Sequence, residues 1–245
     1  LSNIGTRANA APLTSRGLAA LHRRWSAATN LVVGLSGGFD PGAVTARLER
    51  ILGALPAGEP LVLPAVPTPP TELRRATVRS GREQAHLAVA FPGVSVLDPE
   101  QPAVEVLAGV LGGQGGRLFV ELREAHGLAY HVGAAAQEGV HPGLFVCSVA
   151  TDPDRADEAA DRLRESLARA VAGPITDEEV ERARRYLLGA VELDLQTAGA
   201  RANLAAYAEL YGQDGLAYRA DVRRRLEQVT AEGVRRCAER ILARP

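Results

Sequence analysis

The 245-residue chain contains no methionine and no lysine, and only two cysteines. Each shortage narrows what the molecule can be. Cys147 and Cys237 form no C-x-x-C pair, so no disulfide framework is expected and both thiols read as reduced, buried small hydrophobes. No apolar run approaches the roughly 18 residues that cross a bilayer, and no secretory signal is visible. The formal net charge of −1 marks neither a nucleic-acid binder nor a membrane-surface protein, and the expected compartment is the cytoplasm. All basic side chains are arginine, which reads as codon bias. The lack of any methionine, the first position included, leads us to expect a fragment or a processed polypeptide.

About half of the residues are apolar, enough for a large hydrophobic core. Thr14 is placed to cap a helix through about Trp25. "NLVVGLSGG" (Asn30–Gly38) reads as a buried strand. Asp40 and Pro41 then open another helix. Six prolines between Pro56 and Pro70 predict an extended linker without packed structure of its own. Beyond it, strands are expected at Glu72–Arg79 and Glu83–Phe91, joined through Gly81. A helix capped by Asp98 with Pro99 at its start should follow, ended by Gly112 and Gly113. "GRLFVELREAHG" reads as an amphipathic helix stopped at Gly127. Strands at Leu128–Gln137 and Gly143–Ala150 come next, and the remainder is mostly helix. Asp152 and Pro153 open one helix, and Thr176 with Glu179 forms a capping box for the next. Further helices are expected at Ala198–Tyr211, Leu216–Gln228 and Ala231–Leu242. Sheet elements followed by a long helical stretch predict an α+β fold.

One internal similarity stands out. "LTSRGLAALHRRW" from Leu13 matches "VTAEGVRRCAERIL" from Val229, so that Thr14 and Thr230, and likewise Gly17 and Gly233, stand 216 positions apart. That spacing is about a domain length and reads as two tandem homologous domains cut at both ends.

Several motifs were tested. "GVLGGQGGRLF" has glycines but no following Lys-Ser/Thr, and it follows a helix, so it is a turn and not a phosphate loop. The histidines show neither H-E-x-x-H nor H-x-x-E-H spacing. His126, His131, Glu138 and His141 lie close in sequence and could in part meet on a hairpin, but their separations match no common zinc pattern, so they read as surface or strand residues rather than metal ligands. No G-x-S-x-G elbow occurs, and Cys147 in "GLFVCSVAT" sits at core-strand spacing.

Read together, "HLAVAFPGVSVLDPEQPAVEVLAGVLGGQGGRLFVELREAHGLAYHVGA" (86–134), "GLFVCSVATDP", "ITDEEVERARRYLLGAVELDLQTAGARANLAAYAELYG" and "VTAEGVRRCAERIL" resemble the insulinase/pitrilysin family of metallopeptidases, in its processing-peptidase-like branch. "LTSRGLAALHRRWSAATNLVVGLSGGFDPGAVTARLERIL" resembles the end of that family's preceding domain. The resemblance implies one half of a two-domain clam-shell metallopeptidase, with a mostly antiparallel sheet and helices packed on one face. Residues 1–55 would be the helix–strand–helix tail of the zinc-type domain, 56–70 the linker, and 71–245 the C-terminal non-zinc domain, truncated at its end.

The implied activity is substrate binding within a zinc metalloendopeptidase. Arg123 and Tyr130, seven residues apart as in the family's second domain, are the implied catalytic pair. Gly113, Gly115 and Gly116 stand where some relatives carry a glycine-rich substrate loop. No metal site is implied in this chain. The zinc, and the H-x-x-E-H motif that holds it, would belong to a companion domain or subunit, so the chain alone is not expected to hydrolyse peptides. A non-catalytic scaffold or assembly subunit, or a peptide-binding module, are the alternatives. The tail 14–55 is further expected to dock on an open sheet edge, of its own domain or of a second copy in a homodimer.

Overall fold

The computed structural model describes residues 5–242 apart from 67, 71, 80 and 82. Its helices are α1 (Arg7–Ala10), α2 (Ser15–Trp25), α3 (Pro41–Leu52), α4 (Gln101–Gly112), α5 (Ala156–Ala172), α6 (Asp177–Asp194), α7 (Ala198–Leu210), α8 (Tyr218–Glu227) and α9 (Ala231–Leu242). Three strands, β1 (Ala85–Pro92), β2 (His131–Gln137) and β3 (Leu144–Thr151), form an antiparallel sheet in the order β1-β3-β2. The fold is α+β, as the sequence predicts.

Register follows from alternation. Leu87, Val89 and Phe91 of β1 pair with Val149, Cys147 and Phe145 of β3, which in turn pair with Val132, Ala134 and Ala136 of β2. This face carries the core. The opposite face carries His86, Ser148 and His131 with small residues between them. Against the core face lies α4, apolar nearly all round: Val104, Val106, Leu107, Val110 and Leu111 are fully buried. A helix buried on every side needs neighbours on every side, and β2, α6, α8 and α9 supply them. Gly112 lets the end of α4 reach β2, since a Cβ there would lie 2.0 Å from the Ala134 nitrogen. Leu163 and Leu167 of α5, and Val234, Cys237 and Ile241 of α9, close the core.

Helix starts follow the predicted caps. The hydroxyls of Thr14 and Thr230 accept from the Gly17 and Gly233 amides at 3.1 and 3.2 Å, so the two matched segments begin their helices identically. At α6 the capping box is complete: the Thr176 hydroxyl accepts from the Glu179 amide, and the Glu179 carboxylate accepts from the Thr176 amide at 2.9 Å. The same carboxylate receives a two-pronged bond from Arg117, at 2.6 and 2.7 Å, while Arg117 also donates to the Pro174 carbonyl at 2.5 Å. One side chain thus ties the turn after α4 to the start of α6.

Other expectations are corrected. The segment Leu31–Ser36 is extended but enters no ladder among the described residues. Gly34 lies against the Ala202 carbonyl of α7, and Arg201 donates to the Ser36 hydroxyl at 3.2 Å. The segment therefore does not dock on the edge of its own sheet. Residues 73–79 form no strand; Leu73 and Val78 stay exposed, and Ser80 and Arg82 beside Gly81 lie outside the described residues. The start of the proline-rich segment is anchored: Asn30 donates to the Glu59 carbonyl at 3.0 Å and accepts from the Leu61 amide at 2.7 Å. α4 begins two residues later than predicted, because Asp98 spends its carboxylate on the Glu100 amide at 2.8 Å in the preceding turn. Pro153–Arg155 form a 3₁₀ turn before α5 rather than its first turn.

The Arg117–Glu179 tie gives a stability prediction. Thr176→Ala should cost about 1 kcal/mol as a lost cap. Glu179→Ala removes a cap bond and leaves a half-buried guanidinium unpaired, and should cost about 2 kcal/mol or more. Urea denaturation midpoints compare them. Equal losses would show that the ion pair contributes nothing.

Candidate functional site

The segment "GRLFVELREAHGLAY" leaves α4 through the glycine turn. Gly115 has φ +76°, and the Gly116 amide donates to the Gly113 carbonyl at 2.7 Å. Of the three predicted glycines, Gly113 lines a groove of about 270 Å³ between α4, β2 and α6. Gly109, Gly112, Ala134, Ala135 and Ala136 form its small-residue walls, and Tyr186 and Glu105 stand among its lining residues. Gly116 is buried, and a Cβ there would meet the Gly113 and Leu111 carbonyls at 2.8 Å. Its role is to let the turn close.

The predicted helix is present, and over Phe119–Ala125 it is a π-helix. The His126 amide reaches the Glu121 carbonyl at 3.2 Å, a wider loop than the α-helical bond. Such widened turns occur often at functional sites. Arg123 sits inside it, exposed, with its guanidinium 5.1 Å above the Phe119 ring, where ring and cation attract. Gly127, at φ +56°, ends the helix as predicted. From there the Leu128 amide bonds the Leu122 carbonyl at 2.7 Å and the Tyr130 amide bonds the Ala150 carbonyl at 2.8 Å. Leu128 and Ala129 are buried, whereas Tyr130 is 63% exposed. The two predicted residues thus stand on the surface at either end of one short, internally bonded turn. Arg155, from the 3₁₀ turn after β3, grips that turn through the carbonyls of Gly127 and His126, at 3.0 and 3.4 Å.

His126, His131, Glu138 and His141 do not come together. His126 and His131 lie near the start of β2, and Glu138 and His141 lie beyond its end. A seven-residue strand keeps its ends about 20 Å apart. Among the described residues no group of three His, Cys, Asp or Glu side chains is placed to hold a metal ion, so the residues do not fit a zinc site in this chain. The thiols are core groups: burial pushes Cys147 up to about 12 and Cys237 up to about 11. No helix among the described residues is long and apolar enough to cross a membrane.

Glu138 and His141 instead stand with polar groups beside the groove that sequence reading did not join to them, Gln101 and Glu105. Gln101 donates to Glu138 at 2.9 Å, and the other Glu138 oxygen and His141 Nε2 are buried without a protein partner. Burial first, and then the nearby charges of Glu105 and Asp98, raise the Glu138 carboxyl to about 7 against the Gln101 hydrogen bond and the Arg225 charge. Glu105 is raised as well, by burial first. The signal available in the sequence was Glu105 itself, a lone charge inside the apolar run "PAVEVLAGVLGG".

A chain with Glu138 raised when folded binds a proton that the unfolded chain releases. This contribution is full below the ordinary carboxylate pKa and is lost as pH rises through about 7. Stability should therefore fall between about pH 5 and pH 8, by about 1 kcal/mol for a half-exposed group. Glu138→Gln should flatten this slope in urea titrations at the two pH values. An unchanged slope would remove Glu138 as its source.

A family model described as the peptidase M16 inactive domain matches residues 12–187. An uncharacterized zinc protease of Streptomyces coelicolor is 30% identical over 98% of the chain and 54% of its own length, so the chain spans about half of that relative. The crystal structure of a peptidase M16 inactive domain from Pseudomonas fluorescens superimposes with a TM-score of 0.86 at 24% identity, covering 98% of this chain and 57% of that one. A chain of Complex III2 from Candida albicans superimposes with a TM-score of 0.82 at 14% identity, over 98% of this chain and 59% of that one.

Proposed function

Because the chain belongs to the zinc-protease family of the peptidase M16 inactive domain, we propose that it is the substrate-binding, zinc-free part of a zinc metalloendopeptidase. Its companion is a zinc-bearing domain or subunit, and its substrate is a peptide. The observation that carries this reading is the exposure of Arg123 and Tyr130 at the two ends of the turn at Gly127. A guanidinium presents fixed paired donors to a peptide carbonyl or carboxylate. A phenol donates to the carbonyl oxygen as it gains negative charge, a contact typically worth about 10²–10³ in rate. Neither group performs chemistry alone, and the chain by itself leaves peptides intact.

Two further observations agree. The groove along Ala134–Ala136 runs beside β2, whose outer edge carries no partner strand among the described residues. An extended peptide adding there would pass Gly113 and present its side chains to Tyr186 and Glu105. In addition, α2 exposes Leu18 and Leu21 by about half, whereas Val234 and Cys237, their counterparts in the matched segment of α9, are fully buried. A companion domain would cover the α2 stripe.

The fold shared with a chain of Complex III2 favours a second reading, a scaffold or assembly subunit without catalysis. A homodimer through an open sheet edge belongs to that reading, and sedimentation velocity reads it directly.

The test assembles the chain with its zinc-bearing companion and follows peptide hydrolysis. Tyr130→Phe should lower kcat about 100-fold, and Arg123→Ala should lower kcat/KM at least about 10-fold, with circular dichroism unchanged. Hydrolysis untouched by both substitutions would leave the scaffold reading standing.

A further inference from the structure

We propose that Arg155 is the positioning residue that sets the geometry of Arg123 and Tyr130, an assignment that rests on the peptidase reading above. The argument starts from what holds the stretch between the two. Its amides are bonded inward: His126 to Glu121, Gly127 to Arg123, Leu128 to Leu122, and Tyr130 to Ala150. Its carbonyls at the bend, those of His126 and Gly127, face the guanidinium of Arg155. Gly127 is the hinge. It alone in this stretch has positive φ, and a Cβ built on it meets nothing within 4 Å. Leu128 and Ala129 anchor the strand side of the bend in the core, whereas on the open side of Gly127 hydrogen bonds are the brace.

Arg155 is itself held. The Asp152 carboxylate accepts from the Asp154 amide at 2.9 Å and fixes the 3₁₀ turn that carries Arg155. Glu158, one turn into α5, accepts from both Nε and Nη2 of Arg155 at 3.1 Å. The planar fork is therefore oriented by one carboxylate while its remaining donors reach the bend. Asp152 directly follows the last residue of β3, and Ala150 of the same strand receives the Tyr130 amide. Both ends of the brace thus come from one strand end, which makes the position of Tyr130 relative to Arg123 a rigid property of β3.

Loss of the fork frees two carbonyls at a glycine hinge. The pair then samples a range of separations, and a misplacement of about 1 Å at a reacting group costs up to about 100-fold in rate. Folding should survive, because Arg155 is partly exposed and the core does not include it.

The experiment uses the assembled peptidase, this chain with its zinc-bearing companion. Arg155→Ala should lower kcat about 10- to 100-fold while KM stays within about twofold. Hydrogen exchange at the Leu128 and Tyr130 amides should quicken about 10-fold. Arg155→Lys, which can reach one carbonyl but not grip two, should recover part of kcat. If Arg123→Ala and Tyr130→Phe lower hydrolysis but Arg155→Ala leaves kcat and amide exchange at wild-type values, the positioning role is overturned and the peptidase reading stands. If Arg123→Ala and Tyr130→Phe leave hydrolysis intact, the peptidase reading falls and takes this assignment with it, even where exchange quickens.

Discussion

The contact on which the rest of the site depends is the two-pronged bond between Arg117 and Glu179. Glu179 already serves as the third helical residue of a capping box, so its carboxylate is pinned by the Thr176 amide before Arg117 arrives. A preset acceptor lets the guanidinium bind with little further ordering, and the half-buried setting strengthens the attraction. The carboxyl is held below its usual range, the arginine bond and the cap outweighing the burial that opposes them. Arg117 begins the stretch that becomes the π-helix, and α6 packs on α4 through Ala183 against Gly109. Fixing the start of α6 to the start of the π-helix therefore fixes the glycine turn, the groove and everything downstream to Tyr130 in one frame.

That frame explains which parts were legible in the sequence. Most caps were, because a threonine or aspartate acceptor just before a helical pattern is a local instruction: Thr14, Asp40 and Thr176 cap where predicted, and Thr230 caps as its match Thr14 does, whereas Asp98 closes the preceding turn instead. The pairing core was, because Leu87, Val89 and Phe91 alternate at strand spacing. Leu31–Ser36 and residues 73–79 were misread for one reason. Their apolar patterns fit strands, but a strand is completed by a neighbour, and no local pattern says whether that neighbour exists. The helix before Gly127 was legible, but its π form was not: the extra residue per turn leaves apolar positions compatible with an α-helix, and the wider bond from the His126 amide to the Glu121 carbonyl appears only in the structure.

The comparison of α2 with α9 states the same limit in energetic terms. Both helices carry the same cap and the same apolar spacing. Burial of Val234 and Cys237 contributes about 1–2 kcal/mol each to the fold around α9, whereas Leu18 and Leu21 leave half of theirs unused. An amphipathic stripe records what a helix is able to bury. It does not record against what, and two helices with one stripe and unequal burial show that the partner lies outside the pattern.

The spacing of Arg123 and Tyr130 is the sharpest case. Seven residues in a continuous α-helix would put the two on one face about 10 Å apart. Here the helix widens, ends at Gly127, and gives way to a strand, so the number seven carries no distance at all. The geometry comes instead from bonds that reach outside the segment: from Ala150 to the Tyr130 amide, and from Arg155 to the bend. A motif of two residues is thus completed by residues 20 and more positions away that no reading of the motif would include. Both thiols are buried and held protonated, and the exposed polar pair consists of donors, which stabilise charge on a substrate and do not attack it. A surface built of donors on a braced turn is suited to hold a reacting group supplied from elsewhere.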